Sequence, residues 1–436
     1  MGFADTKIVV IGGGLGGMAF MNAALFAGLT DVHLYEQAPE FTEVGAGVDI
    51  TRNACRILDS YGLKEKMLWK SNSDPPHFME YRDWKTAEYL GQIDEWGEPA
   101  SRQLHRADLL DVLKDRIPAD RLHLSKKLSA IEPQEHGPAY RVIFEDGTVA
   151  VADIIVGCDG IRSQVRKHLG LDDELVYSGQ VVYRTYIDYK DLPPATAEML
   201  RRVVIFRGKH KHILTLPNGN EASGSARICV VAFMPEPLAQ WTAQQWVIRD
   251  EIDHFAAHIT DWTSEAQDII SALKAASPDG KMLKQALYVR KPVDTWFKVS
   301  PTRPDSGIVL VGDSVHSTLP HQAQGTCMAI ESGAALATIL RTWKDNDLQS
   351  ALKFYQTLRK PRTDKITTTS YDAGKLGSAD DVAKVTPTFN PTVIRDRMKW
   401  VMEYNLLQDL ISRGKDYLDI SPSTEHGARL ISAAEA

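Results

Sequence analysis

Residues 7–17 read KIVVIGGGLGG, and an apolar segment, residues 18–27, follows them directly. The β-branched run before the glycines is typical of a short buried strand, and the apolar segment after them is typical of a buried helix. Gly12, Gly14 and Gly17 fit the spacing GxGxxG, in which a tight turn lets the backbone approach a pyrophosphate at the start of a helix. The stretch therefore predicts a dinucleotide-binding strand, turn and helix.

A carboxylate follows at the distance that such a turn requires. A second predicted strand, Val32–Tyr35, ends at Glu36, about twenty residues beyond the turn, where a carboxylate accepts hydrogen bonds from ribose hydroxyls. An acidic residue there favours a free 2′-hydroxyl over a 2′-phosphate, so FAD or NAD fits and tightly held NADP does not. The alternative is a glycine-rich turn in an ordinary α/β domain.

The bulk composition narrows the class of protein. The chain has 436 residues, 43% of them apolar, which is enough for a large core and two or three lobes. A formal net charge of −7 gives no case for a nucleic-acid partner. Four cysteines lie far apart without a CxxC pair, so neither a metal site nor a disulfide framework is predicted. No signal segment or membrane span is recognisable, so we expect a soluble, cytoplasmic protein.

Two later segments separate FAD from NAD. Residues 153–166, DIIVGCDGIRSQVR, resemble the Asp-Gly motif of flavoprotein hydroxylases, with Asp159 at the family position. Residues 307–316, GIVLVGDSVH, resemble the family's Gly-Asp motif, in which Asp313 would hydrogen-bond the ribityl chain of FAD. Together with the glycine turn, these motifs make the chain similar to the single-component FAD-dependent aromatic hydroxylases. This family includes salicylate and 3-hydroxybenzoate hydroxylases and fungal phenol-hydroxylating monooxygenases.

The resemblance implies which residues hold FAD. Arg106, at a predicted helix start, would reach the cofactor, although an arginine there is also typical of an exposed surface. Amides near Gly325 would face the flavin O2 and N1, where negative charge builds during reduction. The predicted cofactor-binding residues are Gly12, Gly14, Leu15, Gly17, Glu36, Ala46, Gly47, Arg106, Asp159, Gly312, Asp313, Gly325 and Thr326.

A few positions depart from the family pattern. Ala323 stands where many relatives have glycine, so a positive φ at this position would be strained. Residues 51–53, TRN, replace the usual proline-asparagine, and residues 331–333, ESG, replace Glu-Asp-Ala. These departures affect the expected loop conformations and leave the expectation of FAD unchanged.

The middle of the chain changes to short alternating runs. Residues 181–187, 203–206, 212–216 and 228–233 predict strands of an antiparallel sheet. An aromatic-rich piece, residues 77–97, is expected to join this sheet by a hairpin.

The predicted fold is therefore a composite α/β (α+β) architecture. A Rossmann-like FAD-binding domain takes residues 1–76, 98–176 and 297–344, and an inserted antiparallel-sheet substrate domain takes residues 77–97 and 177–296. Residues 345–436 form a C-terminal helical region.

The chemistry of the family points to two residues of the predicted sheet. A flavin C4a-hydroperoxide transfers oxygen to the substrate ring, and a phenolate attacks it more readily than a neutral phenol, so a base or cation is expected beside the substrate oxygen. Arg184 lies in a segment similar to one with which relatives hold a phenolate or carboxylate. His212 matches a histidine base of hydroxybenzoate hydroxylases, and Pro320 and His321 complete the predicted substrate-binding residues.

Structural alternatives stay open for both catalytic candidates. Arg184 is equally suited to an ion pair between the two lobes. The tyrosine that relatives carry four residues beyond the histidine is Leu216 here, so His212 is also compatible with an ordinary strand histidine.

These features predict an FAD-dependent, NAD(P)H-consuming monooxygenase that hydroxylates a phenolic or hydroxybenzoate-like aromatic. No second GxGxxG unit follows, so NADH or NADPH would bind transiently, and the sequence does not choose between them. The expected partners are a small aromatic substrate and dioxygen, without nucleic acid, membrane or metal, in a monomer or homodimer. The alternatives are a same-fold FAD monooxygenase or epoxidase acting on a non-aromatic secondary metabolite, and a flavin-binding scaffold without turnover.

Overall fold

The computed structural model describes residues 2–41, 47–72, 78–172, 174–241, 246–376 and 390–435. The β-strands are β1 (Ile8–Ile11), β2 (Val32–Tyr35), β3 (Gly47–Ile50), β4 (Met79–Asp83), β5 (Tyr89–Ile93), β6 (Arg102–His105), β7 (Leu122–His123), β8 (Leu128–Pro133), β9 (Tyr140–Phe144), β10 (Val149–Ala152), β11 (Ile154–Gly157), β12 (Leu175–Ile187), β13 (Val204–Gly208), β14 (Lys211–Asn218), β15 (Arg227–Pro235), β16 (Val247–Glu251), β17 (Lys281–Arg290), β18 (Phe297–Val299) and β19 (Gly307–Leu310). The α-helices are α1 (Leu15–Ala27), α2 (Arg52–Ser60), α3 (Lys64–Lys70), α4 (Arg106–Lys114), α5 (Gln164–His168), α6 (Pro194–Met199), α7 (Ile252–Ala257), α8 (Ser264–Ala276), α9 (Asp313–His316), α10 (Gly325–Thr342), α11 (Leu348–Leu376), α12 (Pro391–Met402), α13 (Leu406–Gly414) and α14 (Glu425–Glu435).

A six-stranded sheet carries the glycine turn, with strand order β18, β19, β11, β1, β2, β7. β1 pairs in parallel with β11 and β2, and β18 is an antiparallel edge strand. Every residue of β1, β11 and β19 is buried, as expected for parallel strands that are covered on both faces. The predicted strand, turn and helix are confirmed, although α1 begins at Leu15 and therefore earlier than predicted.

An eight-stranded sheet forms the second lobe, with strand order β16, β17, β12, β15, β14, β13, β4, β5. The four predicted runs lie within β12 to β15 or overlap them. The predicted hairpin is also confirmed, because β4 pairs with β5 and joins the sheet through a parallel pairing with β13.

The two faces of this sheet have different environments. One face packs against α7 and α8 in an apolar core that includes Tyr183, Phe206 and Phe255. Successive side chains of a strand point to opposite faces. Val182, which precedes Tyr183, and Arg207, which follows Phe206, therefore lie on the other face, where they line a cavity. The sheet therefore contributes one wall of that cavity.

The remaining elements surround this cavity. β3 and β6 form a two-stranded ribbon, in which β6 contacts β14 and β3 contacts α10. In the C-terminal part, α11 packs on α10, and α12 packs on β5 and α2. Within the described ranges, no helix combines the length and apolar character needed to cross a lipid bilayer.

Candidate active site

A cavity of about 1000 Å³ lies between the glycine turn and the eight-stranded sheet. The eight-stranded sheet and the loops that follow β1, β11 and β19 line it, and α11 and α12 contribute to its wall. This volume is large for a single small ligand, since ligand sites commonly measure about 300–1,000 Å³. The predicted site residues among its lining are Gly14, Leu15, Gly47, Arg106, Arg184, His212, Gly312, Asp313, Pro320, His321, Gly325 and Thr326.

The glycine turn has the geometry that an approaching pyrophosphate requires. Gly12 has a φ of +105°, and a Cβ on it would stand 2.5 Å from the Cys158 carbonyl oxygen. A Cβ on Gly17 would stand 1.9 Å from the Gly12 carbonyl oxygen, so the helix could not pack this closely on the turn with a larger residue. At Gly14, by contrast, no atom lies within 4 Å of a Cβ position. The backbone of Gly14 therefore faces open space at the start of α1, which is where an anion would bind.

Glu36 lies beside this turn at the end of β2. Its Oε2 accepts a hydrogen bond from the Gly13 amide at 2.5 Å, and its Oε1 accepts one from the Ala38 amide at 2.8 Å. Glu36 is not part of the cavity lining. The carboxylate thus fixes the turn, and its predicted contact with a ribose stays a prediction.

Asp313 carries a carboxylate that lines the same cavity as Gly14. It follows Gly312, whose φ is +73°, and begins α9. The side chain is exposed to the cavity, and protein atoms surround its other sides. Burial raises the pKa of Asp313 above its ordinary value, and the Arg106 guanidinium lowers it in part. A carboxylate in such an environment gains from accepting the hydroxyl groups of a ribityl chain.

These residues fit FAD. The open backbone at Gly14 suits the pyrophosphate, and the Asp313 carboxylate suits the ribityl hydroxyls. Gly325 and Thr326 open α10 at the cavity wall, so the amides of its first turn are suited to the flavin O2 and N1.

The Asp-Gly segment lines the cavity at Gly160 and not at Asp159. The Asp159 carboxylate accepts hydrogen bonds from the Ser163 hydroxyl at 2.5 Å and from the amides of Gln164 and Val165 at 2.7 and 3.1 Å. It therefore caps α5, and Asp159 itself does not line the cavity, whereas Gly160 does. A direct contact between Asp159 and FAD stays a prediction.

Gly47 connects the flavin side of the cavity to the substrate side. Its amide donates to the Cys229 sulfur on β15 at 3.2 Å, and a Cβ on Gly47 would stand 2.4 Å from Oδ1 of Asn218 on β14. A larger residue here would therefore require the Asn218 side chain to move if β3 is to lie this close to the eight-stranded sheet. The neighbouring predicted residue, Ala46, lies outside the described residues.

On the substrate side, three rings form a cluster. The ring centroid of Phe233 lies 4.6 Å from that of His212 and 4.7 Å from that of His321. Burial lowers the pKa of His212 to about 3, helped by His321 and Arg207. Burial also lowers the pKa of His321 to about 4, and its Nε2 lies 3.1 Å from Oε1 of Gln180. Both imidazoles are therefore neutral at pH 7.

The loop that precedes α10 shows the strain anticipated at Ala323. This residue adopts a left-handed conformation with a φ of 54° and a ψ of 30°, which costs about 1–2 kcal/mol for a residue with a Cβ. Pro320 starts the short helical turn before it.

A buried ion-pair network supports this loop from behind. Glu331 accepts hydrogen bonds from Arg359 Nη2 at 2.5 Å, and from Nε and Nη2 of Arg362 at 2.9 Å each. Asn53 Nδ2 donates to Glu331 Oε1 at 2.6 Å and to Gln324 Oε1 at 3.1 Å. The network therefore joins α2, α10 and α11 to the residue that precedes α10.

Sequence reasoning missed two polar residues of the cavity. Arg207 on β13 is 1% exposed and pairs across the sheet with His212. Counting back from His212 through the β13–β14 hairpin would have found it. Asp49 on β3 also lines the cavity, and burial together with Glu95 raises its pKa to about 8. No sequence signal marks Asp49, because its burial arises from packing.

A family model described as FAD binding domain matches residues 5–370 of the chain. The chain belongs to this family. This flavoprotein is 30% identical to the salicylate hydroxylase of Pseudomonas putida over 430 residues, which cover 93% of the chain and 94% of the relative. It is 30% identical to the 6-hydroxynicotinate 3-monooxygenase of Bordetella bronchiseptica over 378 residues, which cover 84% of the chain and 91% of the relative.

Solved structures show the same fold. A salicylate hydroxylase substrate complex matches with a TM-score of 0.75 and 24% identity, covering 93% of this chain and 97% of that chain. Klebsiella pneumoniae HpxO complexed with FAD and uric acid matches with a TM-score of 0.70 and 20% identity, covering 92% of this chain and 93% of that chain.

Together, the family match and the relatives confirm the main predictions. The fold class is as predicted, the cofactor is FAD with NAD(P)H as reductant, and this flavoprotein is an aromatic monooxygenase. The comparisons favour an aromatic substrate over the non-aromatic alternative.

Proposed function

We propose that this monooxygenase hydroxylates a small aromatic ring that already carries a hydroxyl group, and that the ring binds between the flavin and the eight-stranded sheet. One observation carries the proposal: a single cavity contains both the FAD-fitting residues and the predicted substrate residues Arg184 and His212. When bound, FAD accepts a hydride from NAD(P)H and activates dioxygen. The relatives named as salicylate and 6-hydroxynicotinate monooxygenases support a hydroxylated aromatic substrate.

His212 is proposed to remove the proton of the substrate hydroxyl. Its lowered pKa keeps the imidazole neutral, and its buried Nδ1 has no hydrogen-bond partner among the described residues. A neutral ring nitrogen that faces a phenol can accept the proton, which makes the ring a stronger nucleophile. An anion bound nearby would raise the pKa of His212 towards the value at which it works best as a base.

Arg184 is proposed to bind an oxygen of the substrate from the end of the cavity beside β3. It lies on β12, close enough to Cys229 for its positive charge to lower the pKa of the Cys229 thiol in part. Cys229 in turn accepts a hydrogen bond from the Gly47 amide, so Arg184 lies near β3, which begins at Gly47. A guanidinium there can orient a phenolate or carboxylate.

Apolar side chains of the sheet are proposed to keep water away from the reacting atoms. Leu214, Val231, Phe233 and Leu287 line the cavity on the sheet face. Exclusion of water protects an activated oxygen species from breakdown to hydrogen peroxide.

We further propose the domain boundaries given above, a reducing compartment such as the cytoplasm, and a monomeric or dimeric state. Membership of β4, β5 and β12–β17 in one sheet supports the boundaries. The four cysteines are buried and free, which supports a reducing compartment. Light scattering of the purified holoenzyme would determine the oligomeric state.

The proposal is tested by NADH and NADPH oxidation with a panel of phenols, hydroxybenzoates and hydroxypyridines, together with product analysis. We expect at least one hydroxylated aromatic to stimulate oxidation and to gain one oxygen atom. His212→Asn should slow hydroxylation by about 100-fold, since a positioned base contributes about 10²–10⁴-fold, and should leave flavin reduction nearly unchanged.

His210→Asn is the matched control, because His210 is exposed in the same hairpin with a φ of 58°, a conformation that asparagine accepts. It should retain wild-type rates. Stimulated oxidation that yields only hydrogen peroxide with every aromatic would contradict the proposed function, and equal rates for both variants would remove His212 from it.

A further inference from the structure

A row of hydrophobic side chains crosses the cavity face of the eight-stranded sheet. Val231 on β15 pairs with Leu214 on β14, and Leu214 pairs with Ile205 on β13. Ile205 pairs in turn with Tyr81 on β4. All four residues line the cavity, and their four strands are adjacent in the sheet. Three strand spacings of about 4.8 Å therefore give this row a length of about 14 Å.

Three members of this row can be reached from the cavity. Val231, Leu214 and Ile205 are each partly exposed, in contrast to their neighbours along the strands. Those neighbours point to the face that the helices cover and are fully buried, namely Val230, Ile213 and Phe206. Apolar surface gains free energy when it is removed from water. The open side of the row therefore favours contact with an apolar group of a ligand.

Helix α12 adds a second apolar wall at the end of the row formed by β13 and β4. Ile394 and Met398 of α12 line the cavity, as does Met79 on β4. These three residues belong to one hydrophobic cluster with Ile205 and Tyr81. We call this end of the cavity the apolar arm, and it consists of Met79, Tyr81, Ile205, Ile394 and Met398. Methionine side chains are flexible, so they can adapt to the shape of an apolar ligand group.

The charged residues of α12 lie closer to solvent than its apolar ones. Asp396 and Arg397 also line the cavity, but both are exposed. Ile394 is partly buried and Met398 is 7% exposed. A ligand group that enters the apolar arm therefore passes from a charged rim to an apolar interior.

The row connects the apolar arm to the proposed base. His212 and Leu214 are two residues apart on β14, so their side chains point to the same face of the sheet, about 7 Å apart along the strand. A ring whose hydroxyl group reaches His212 can therefore lie over Leu214 and Val231. The row is longer than one aromatic ring, so its end at Ile205 and Tyr81 stays available for a substituent of that ring.

We propose that the apolar arm is a subsite for a hydrocarbon chain, and that this enzyme prefers hydroxylated aromatics that carry an alkyl chain of several carbons over rings without one. This inference rests on the proposed function of the cavity. The chain would extend from the ring over Ile205 and Tyr81 and would pack against Ile394 of α12. A small polar substituent would cover less of this apolar surface and would gain less from binding there.

The experiment measures how phenols with alkyl chains from methyl to butyl bind to the FAD-loaded enzyme in the absence of reductant. The chain is placed at ring position 2, 3 or 4, and dissociation constants are obtained from flavin absorbance and from calorimetry. In at least one of these series, each added methylene group should tighten binding by about fourfold, which corresponds to the burial of one CH₂ group. Binding that stays constant or weakens from methyl to butyl in every series would overturn the proposal.

Substitutions test whether the chain lies in the apolar arm. Ile205→Thr keeps the β-branched shape but places a hydroxyl group in the arm, and Ile394→Thr does so from α12. Each should weaken the binding of the butylphenol by about fivefold more than that of phenol. Ile431→Thr is the matched control, because Ile431 on α14 is partly exposed and does not line the cavity, and it should change neither affinity. Equal weakening of phenol and butylphenol by both arm variants would also overturn the proposal.

Turnover separates this inference from the proposed function. The kcat/KM for hydroxylation, measured by NADH or NADPH oxidation and product analysis, should rise along the same series as the affinity. Chain-dependent binding by an enzyme that hydroxylates no phenol would refute the proposed function and support the apolar arm. Hydroxylation of phenols with no dependence on chain length would refute the arm and leave the proposed function supported.

Discussion

Replacing Glu331 by glutamine removes the charge at the centre of the ion-pair network behind the loop that precedes α10. Glu331 and Arg359 are fully buried, and the carboxylate accepts hydrogen bonds from both Arg359 and Arg362. A glutamine at this position has almost the same shape but no charge, and it leaves two guanidinium groups close together without a counterion. We expect Glu331→Gln to destabilise the fold and to loosen FAD.

The magnitude follows from the pKa of Glu331. Burial alone would raise this pKa, but Arg362 and Arg359 lower it from its ordinary value of 4.5 to about 2. A change of about 2.5 in pKa corresponds to about 3 kcal/mol of unfolding free energy, which agrees with the loss of about 3–5 kcal/mol on breaking a buried ion pair. Because the folded pKa is depressed, this stabilisation is fully present above pH 4.5 and is lost as the pH falls towards 2. Roughly 1 kcal/mol of it should be lost by pH 4.

The assay is urea unfolding of the holoenzyme, followed by tryptophan fluorescence between pH 4 and 8, with FAD retention measured after gel filtration. The difference between wild type and Glu331→Gln should be constant from pH 5 to 8 and smaller at pH 4. Glu425→Gln is the control, because Glu425 is 80% exposed in its pair with Arg429, and exposed pairs contribute less than about 1 kcal/mol. A loss below about 1 kcal/mol for Glu331→Gln, or a difference that grows on acidification, would refute the reasoning.

Further predictions concern the cofactor side of the cavity and its loop. Asp313→Ala should give a folded protein that retains little FAD, because the carboxylate that faces the cavity is lost; full flavin occupancy after purification would count against the assignment. Ala323→Gly should raise the unfolding free energy by roughly 0.5–1 kcal/mol, since glycine relieves the left-handed strain, and a lower midpoint in thermal unfolding would contradict this expectation. Ala337→Gly, in the buried middle of α10, is its control and should destabilise by about 1 kcal/mol or more.

The cofactor half of the site was predictable because it depends on local backbone geometry. The glycines at 12, 14 and 17 must occur at fixed spacing for a turn to join β1 to α1, and Asp313 must follow a buried strand to reach the same edge of the sheet. These constraints act over a few residues, so the sequence shows them directly. Asp159 illustrates the limit, because its motif was recognised although its carboxylate is used to cap α5.

The substrate half depends on pairing between distant strands and was predicted only in part. His212 and Arg184 were identified from resemblance to relatives, whereas Arg207 was not, since its relation to His212 exists only through the β13–β14 register. Asp49 and Glu331 likewise acquire their shifted pKa values from burial and from partners far along the chain.

The sequence by itself determined the dinucleotide turn and the two sheets, because short-range spacing and residue periodicity encode these properties, and its resemblance to the flavoprotein hydroxylases implied FAD and the class of reaction. Tertiary structure alone decided which charges face the cavity, which imidazoles are neutral, and that Arg207 lies beside His212. The physical reason is that burial and charge pairing depend on side chains brought together from separate strands and helices, and no local pattern records that neighbourhood.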